Sequence, residues 1–164
     1  MNKRRSSSVV VKPITSDHLG EFVALLRAIE AETHPDDPAA PGRAEAGLLQ
    51  SVAQYDFTQS DACWLLLAWV RAQVAGYALA VRLPKADARK GFLFVDELYV
   101  LKPWRRRGVA MHLLKQVHDL ARREGYAGVR LLVRPSNHTA RKLYTRLGYA
   151  EYPSILCESL MGHV

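Results

Sequence analysis

Residues 92–114 read FLFVDELYVLKPWRRRGVAMHLL, a strand-forming run that passes through three arginines into a helical pattern. The first ten of these residues are apolar apart from two adjacent carboxylates, which is typical of a strand in a sheet. After Gly108 the apolar residues recur at helical spacing, and Gly125 is a typical end for that helix. A further strand, GVRLLV, follows at 128–133, so the sequence predicts two parallel strands joined by a right-handed helical crossover.

Further strands and helices are predicted on either side of this unit. Before it come a strand, two helices and two strands in the manner of a hairpin, at about 9–15, 17–32, 43–54, 63–70 and 74–83. After it come a helix and a last strand, at 136–148 and 154–160. The resulting order, β-α-α-β-β-β-α-β-α-β, predicts an α+β fold with a mixed sheet and helices on its faces.

The composition favours a folded protein rather than a disordered or membrane-spanning one. The chain has 164 residues, of which 49% are apolar, and we expect one domain at 9–164 after a disordered basic tail at 1–8. Cys63 and Cys157 are too few for a disulfide framework and predict two buried thiols in a reducing compartment. The longest apolar run, ACWLLLAWV, is shorter than the roughly 20 residues that cross a bilayer, and no secretory signal is visible. We therefore expect a soluble, cytoplasmic protein.

The three arginines mark a candidate anion site. The formal net charge is +7, and Arg105, Arg106 and Arg107 stand at the entrance of the helix that Gly108 precedes. A helix N-terminus exposes unpaired N–H groups and the positive end of its dipole, and glycine leaves that backbone accessible. The segment predicts a pyrophosphate site, unless the arginines form only a solvated loop that caps an ordinary helix.

Three short motifs occur here in order. Arg105, Gly108 and Ala110 fit the pattern Arg/Gln-x-x-Gly-x-Gly/Ala, LYV precedes it, and N-x-x-A-x-x-x-Y follows from Asn137 to Tyr144. Together they resemble the signature of the GNAT superfamily of N-acetyltransferases, over about residues 63–150. The resemblance implies a mostly antiparallel, twisted sheet with a central parallel strand pair and helices on both faces. It also implies that acetyl-CoA is the acetyl donor.

The resemblance assigns donor-binding roles along this segment. The backbone at the start of the helix would wrap the pyrophosphate, and the edge of the preceding strand would pair with the pantetheine arm like an added strand. Asn137 would touch that arm, with a role as the N-cap of its helix as the alternative or in addition. The implied donor-binding residues are Leu98, Val100, Arg105, Arg106, Arg107, Gly108, Val109, Ala110, Asn137, Ala140 and Tyr144.

Acetyl transfer to an amine needs a base for the ammonium and an acid for the leaving thiolate. The resemblance makes Tyr144 the acid, and a core tyrosine with a satisfied hydroxyl is the alternative. Asp96 and Glu97 lie in an apolar strand, where an unpaired buried charge is costly, so one of them is the expected base, directly or through a water. Adjacent strand residues point to opposite faces, so both can face the acceptor only if a bulge intervenes. Direct transfer in a ternary complex needs no nucleophilic residue.

The acceptor is expected to be a primary amine of a small molecule. Glu30, Glu32, Asp36 and Asp37 would give an acidic wall to the acceptor site and attract a cation, or else form only a solvated helix end. His34 could line the same site, and the six histidines show no metal-ligand spacing, so no metal is expected.

Three other functions are alternatives to this one. A protein or peptide amine is the alternative acceptor, and the family resemblance favours a homodimer. A nucleic-acid-binding module would use the arginines on phosphates, but no nucleic-acid-binding signature appears and only Trp104 interleaves with the basic residues. A fold that binds coenzyme A without catalysis is disfavoured by the presence of Tyr144 and the acidic pair.

Overall fold

A computed structural model describes residues 8–159 of the protein. The tail predicted at 1–8 lies outside the described residues except for its last position. The described chain separates into two compact units, one through Leu132 and one from Val133. The predicted single domain at 9–164 stays a prediction.

The first unit contains the strands and helices predicted for this part of the chain. In chain order they are β1 (Val9–Pro13), α1 (Leu19–Thr33), α2 (Ala40–Gln54), β2 (Cys63–Val70), β3 (Gln73–Leu83), β4 (Phe92–Val100), α3 (Val109–Arg123) and β5 (Gly128–Leu131). Short 3₁₀ turns precede α1 at Ser16–His18 and follow β4 at Lys102–Trp104. None of the helices in the described part of the chain has the length and apolarity that a membrane crossing requires.

The sheet of the first unit is mixed, as predicted. Its described strands lie in the order β1-β2-β3-β4-β5, antiparallel except for the parallel pair β4 and β5. This pair was expected at the centre, but it lies at one end of the described sheet. The predicted strand at 154–160 does not form over 154–159, so the described sheet ends at β5.

Two helices cover opposite faces of this sheet. On α1, Phe22, Leu25 and Ile29 are buried in one cluster with Leu65, Leu67 and Tyr77 of the strands. The apolar face of α3 packs against all five strands, and its buried side chains are Val109, Leu113, Leu114, Val117, Leu120 and Ala121. Because side chains alternate along a strand, α1 takes the odd-numbered positions of the middle of β2, and the even-numbered ones face away from it.

A tight turn joins β2 to β3. Val70 pairs with Gln73, so only Arg71 and Ala72 form the turn. Both have left-handed backbones, with φ of 52° and 63°. Two-residue hairpins adopt this mirror-image turn because its twist matches that of the strands, but side chains other than those of Asn, Asp and Gly are strained in it.

Replacing this turn by Asn-Gly is expected to stabilise the protein. Arg71→Asn with Ala72→Gly should raise the free energy of unfolding by about 1 kcal/mol, because Asn-Gly is the preferred pair for this conformation. That corresponds to a rise in melting temperature of about 2–4 °C for a chain of this size, measurable by circular dichroism. An unchanged or lower melting temperature would contradict the left-handed turn.

The second unit contains one helix, α4 (His138–Arg146), among its described residues. Asn137 caps it by accepting a hydrogen bond from the Ala140 N–H at 3.1 Å, and Gly148 follows it with a left-handed φ of 84°. Arg141 makes two hydrogen bonds to the carboxylate of Glu151, at 2.9 and 2.6 Å.

The last predicted strand is wrong for the residues described. From 154 to 159 the chain is irregular, with Ile155 90% and Leu156 63% exposed. A strand is stabilised by ladder hydrogen bonds and by an apolar face that it buries, and this segment buries none. Cys157 is consequently exposed and Cys63 only half-buried, so the prediction of two buried thiols is also wrong; both are free.

Candidate active site

A bulge interrupts β4 at the acidic pair. Leu79 of β3 pairs with Glu97 and Ala80 pairs with Val95, so Asp96 is an extra residue without a partner on β3. Such a residue bends the strand and breaks the strict alternation of its side chains. The condition under which both carboxylates can serve one face is therefore met.

One carboxylate of the bulge is hydrogen-bonded to a buried tyrosine. The Tyr77 hydroxyl donates a hydrogen bond of 2.5 Å to Glu97 Oε2. Burial first, and then the negative charge of Glu97, raise the pKa of Tyr77 well above its usual range, and Asp96 and Glu30 add to that rise. Tyr77 therefore stays protonated, and three carboxylates from α1 and β4 lie close enough to act on it.

Asp96 and Glu97 were expected to be buried, and they are exposed. The reason is that β5 pairs with β4 only as far as Val95, opposite Leu131. In the part of the chain described, residues 96–100 of β4 have a strand neighbour only on the β3 side. The carboxylates thus stand at the point where the two parallel strands stop pairing.

The open edge of β4 presents the backbone of Leu98 and Val100. A side chain added at Gly76 of β3 would collide with the Tyr99 carbonyl oxygen, so that oxygen points toward β3. Because successive residues of a strand direct their N–H and C=O groups to opposite sides, Leu98 and Val100 direct theirs to the open side. An extended ligand with amide groups could add here as a strand.

The loop after β4 turns into α3 through two left-handed residues. Arg106 has a φ of 63° and Gly108 a φ of 84°. The first backbone hydrogen bond at the start of α3 runs from the His112 N–H to the Gly108 carbonyl, at 3.0 Å. The N–H groups of Val109 and Ala110 therefore emerge from the helix end without intrahelical partners, as an anion site requires.

The three arginines do not act alike. Arg105 is bonded within the loop although it is exposed: its Nε donates to the Val100 carbonyl at 2.8 Å, and its guanidinium lies 5.3 Å from the ring centre of Tyr99. Arg106 and Arg107 are exposed, and Arg107 stacks 5.2 Å from the ring centre of Trp104. All three side chains are exposed, but that of Arg105 is bonded into the loop structure, so Arg106 and Arg107 stay the candidate cations for the anion site.

The acidic residues of α1 and of the loop after it also have different partners. Glu30 lies near Tyr77 and pairs with His34 at 3.0 Å. Glu32 instead accepts hydrogen bonds from Tyr99 and Lys102, and Asp37 pairs with Arg43 of α2. Of the four acidic residues expected to form a wall, Glu30 is thus the one whose charge acts on Tyr77, and Asp36 is exposed in the loop after α1.

In the second unit, Tyr144 is buried on α4 and its ring centre lies 5.6 Å from that of Tyr149. Burial raises the pKa of Tyr144 above its usual range, so its phenol holds its proton at neutral pH. Asn137 uses its side-chain oxygen to cap α4, which is the structural role predicted as its alternative.

No metal centre is formed by residues 8–159, in which no three His, Cys, Asp or Glu side chains come together as ligands.

A comparison with known proteins identifies the family. The sequence model of the acetyltransferase (GNAT) family matches residues 23–149. The chain belongs to this family. GNAT enzymes use acetyl-CoA as the acetyl donor, and the chain is a GNAT-family N-acetyltransferase.

Solved structures share this GNAT fold at low sequence identity. An aminoglycoside acetyltransferase from an uncultured soil metagenomic sample, in complex with sisomicin, is 15% identical, with 94% of this chain and 97% of that chain covered and a TM-score of 0.75. AAC(6')-Iy in complex with a bisubstrate analogue of CoA and acetylneamine is 21% identical, with coverage of 95% and 100% and a TM-score of 0.70. A ribosomal-protein-alanine N-acetyltransferase from Brucella melitensis is 22% identical, with coverage of 93% and 100% and a TM-score of 0.64.

Two residues near the GNAT motifs escaped the sequence analysis. Tyr77 reads as an ordinary apolar position of β3, and Tyr99 as part of the LYV motif, yet both donate hydrogen bonds to carboxylates. The sequence gives little indication of these hydrogen bonds, because a tyrosine in a strand is usually a packing residue. Only the register that places Tyr77 opposite Tyr99 brings them to one face.

Proposed function

We propose that this GNAT enzyme transfers the acetyl group of acetyl-CoA to a primary amine of a small, cationic molecule by direct attack in a ternary complex. The observation that carries the proposal is the bulge in β4, which sets carboxylates beside an open strand edge that runs toward the anion site of α3. Acetyl-CoA bound along that edge would have its thioester near the carboxylates and its pyrophosphate at the loop before α3.

The donor would be held mainly by backbone groups. The backbone of residues 105–110, at the start of α3, would bind the pyrophosphate, with Arg106 and Arg107 as exposed cations beside it. The open side of Leu98 and the N–H of Val100, whose carbonyl already accepts from Arg105, would bind the amides of the pantetheine arm. Asn137 and Ala140 are proposed to contact the same arm on the basis of the family motif.

The amine must lose a proton to attack the thioester carbonyl carbon. We assign the removal of this proton to Glu97, through a water, because its Oε2 is fixed by Tyr77 and its carboxylate is exposed. Asp96 and Glu30 add negative charge that favours a cationic acceptor. As the amide bond forms, the C–S bond breaks, and Tyr144 is proposed to give its proton to the thiolate of coenzyme A.

The acceptor class can be tested with purified protein. Calorimetric titration with acetyl-CoA comes first. The release of free thiol is then measured with three amines: spermidine, sisomicin and a tetrapeptide whose N-terminal residue is alanine. Turnover with spermidine or sisomicin supports the proposal, whereas turnover with the tetrapeptide alone would make the protein a peptide N-acetyltransferase. Binding of acetyl-CoA without turnover would indicate a non-catalytic member, and binding of mixed-sequence DNA instead would overturn the proposal. A homodimer and a cytoplasmic location remain predictions.

Glu97→Gln is expected to lower kcat/KM for the amine by about tenfold at neutral pH, since Asp96 remains nearby to accept the proton through water. The loss should shrink as the pH rises toward about 10, where an alkylammonium deprotonates without help. Initial rates over a pH series measure this. Asp96→Asn serves as the comparison: a larger loss for it than for Glu97→Gln would move the base to Asp96.

A further inference from the structure

Glu32, in the last turn of α1, is bonded to the segment that leads into the anion site. Its Oε1 accepts a hydrogen bond from the Lys102 backbone N–H at 2.9 Å, and its Oε2 accepts one from the Tyr99 hydroxyl at 3.1 Å. The ammonium of Lys102 donates in turn to the Glu32 carbonyl at 3.1 Å. One residue of α1 thus holds both the end of β4 and the first residue of the 3₁₀ turn after it.

The same carboxylate also faces Arg105. A distance of 3.7 Å separates Glu32 Oε2 from an Arg105 guanidinium nitrogen, while Arg105 Nε is bonded to the Val100 carbonyl. The side chain of Glu32 is only 17% exposed, so these interactions are better shielded from solvent than those of a surface ion pair. Both ends of residues 102–105 are therefore fixed relative to α1.

We propose that Glu32 is a positioning residue that fixes residues 101–105 and, through them, the backbone groups that receive the pyrophosphate of coenzyme A. The inference rests on the proposed function. Glu32 has no part in proton transfer: its partners are a backbone N–H, a tyrosine hydroxyl and a guanidinium of the protein itself. Its contribution is to restrict the loop before the ligand arrives, which lowers the entropy lost on binding.

The inference predicts a selective loss of affinity. Glu32→Gln retains an oxygen for the Lys102 N–H but loses the charge that Arg105 faces, so the Kd for CoA should rise about tenfold. Glu32→Ala removes both interactions and should raise it further. Pantetheine, which has no phosphate, engages only the edge of β4, and pairing with β3 as far as Val100 holds that edge in place without Glu32. The affinity of the variants for pantetheine should therefore stay within about twofold of that of the wild type.

The experiment compares wild-type protein with Glu32→Gln, Glu32→Ala and the control Glu45→Gln. Glu45 pairs with Arg27 at the surface, at 3.2 Å, so the control removes the same charge away from the loop. Calorimetry gives the Kd for CoA, ligand-observed NMR gives that for pantetheine, and thermal melting shows that each variant folds. The expected result is weaker CoA binding by the two Glu32 variants alone, with pantetheine binding retained.

Other results would overturn the inference. Wild-type affinity for CoA in Glu32→Gln would show that the loop needs no such anchor. Equal losses for CoA and pantetheine, or a loss shared by Glu45→Gln, would reduce Glu32 to a general stabiliser of the fold. If wild-type protein binds no CoA, the proposed function fails and this inference fails with it, and the two failures are told apart by the wild-type titration.

Discussion

Gly108→Glu is expected to weaken the binding of coenzyme A by at least about 100-fold. The new carboxylate would stand at the start of α3, where the free N–H groups are proposed to receive the pyrophosphate, so it would repel and displace the ligand. In addition, the left-handed φ of 84° disfavours any side chain by about 1–2 kcal/mol. The space itself is available, since a Cβ here would lie 3.6 Å from its nearest neighbours, His112 and Met111.

Gly125→Glu is the matched control for this variant. Gly125 lies just after the other end of α3, has a similar φ of 74° and has no atom within 4 Å of an added Cβ. It therefore imposes a similar backbone strain and the same charge change without approaching the proposed site. Calorimetric titration with CoA should show binding by the control and none by Gly108→Glu. Equal affinities for the two variants would remove the pyrophosphate from residues 105–110.

Tyr144→Phe is expected to lower kcat by about 10²- to 10³-fold and to leave the Kd for acetyl-CoA nearly unchanged. The phenol is the proposed donor of the proton that the thiolate of coenzyme A takes as it leaves. Because burial raises the pKa of Tyr144, the wild-type enzyme should keep its acid protonated, and its rate should not fall, up to at least the usual tyrosine pKa of about 10. Steady-state rates and calorimetry measure the two quantities separately.

Tyr149→Phe removes a hydroxyl from a neighbouring ring and provides the control. Burial also raises the pKa of Tyr149, so the two tyrosines are similar in environment and differ in the role proposed for them. The control should retain turnover within about threefold of the wild type. If Tyr144→Phe weakens acetyl-CoA binding as much as it lowers kcat, Tyr144 is a structural tyrosine and another group supplies the proton.

Periodicity was enough to predict most of the fold because local patterns there agree with the tertiary structure. The run from Phe92 to Val100 forms a strand, the repeat after Gly108 forms α3, and a left-handed glycine at 125 follows its end, all as predicted. The segment at 154–160 shows the limit of this reasoning. Its aliphatic residues have strand propensity, but propensity produces a strand only where a partner and a buried face exist.

The candidate site was predictable where it depends on backbone and less so where it depends on register. The helix start at Gly108 and the strand edge at Leu98 follow from motif spacing. The bulge at Asp96 could not be predicted in this way. An extra residue in one strand is recognised only from its pairing with the neighbouring strand, which the sequence does not give. Consequently the sequence could pose the question of whether a bulge interrupts the strand at the two carboxylates, and the pairing of β3 with β4 shows that it does.

The proposed donor and acceptor parts of the site consist of different kinds of chemical group. The groups offered to acetyl-CoA are mostly peptide N–H and C=O groups of β4 and α3, which persist when side chains are exchanged. The groups proposed to act on the amine are the side chains of Glu30, Asp96 and Glu97, and a single amino-acid substitution can replace each of them. On this proposal, substitutions can change the preference for the acceptor while the backbone groups that bind the donor are retained.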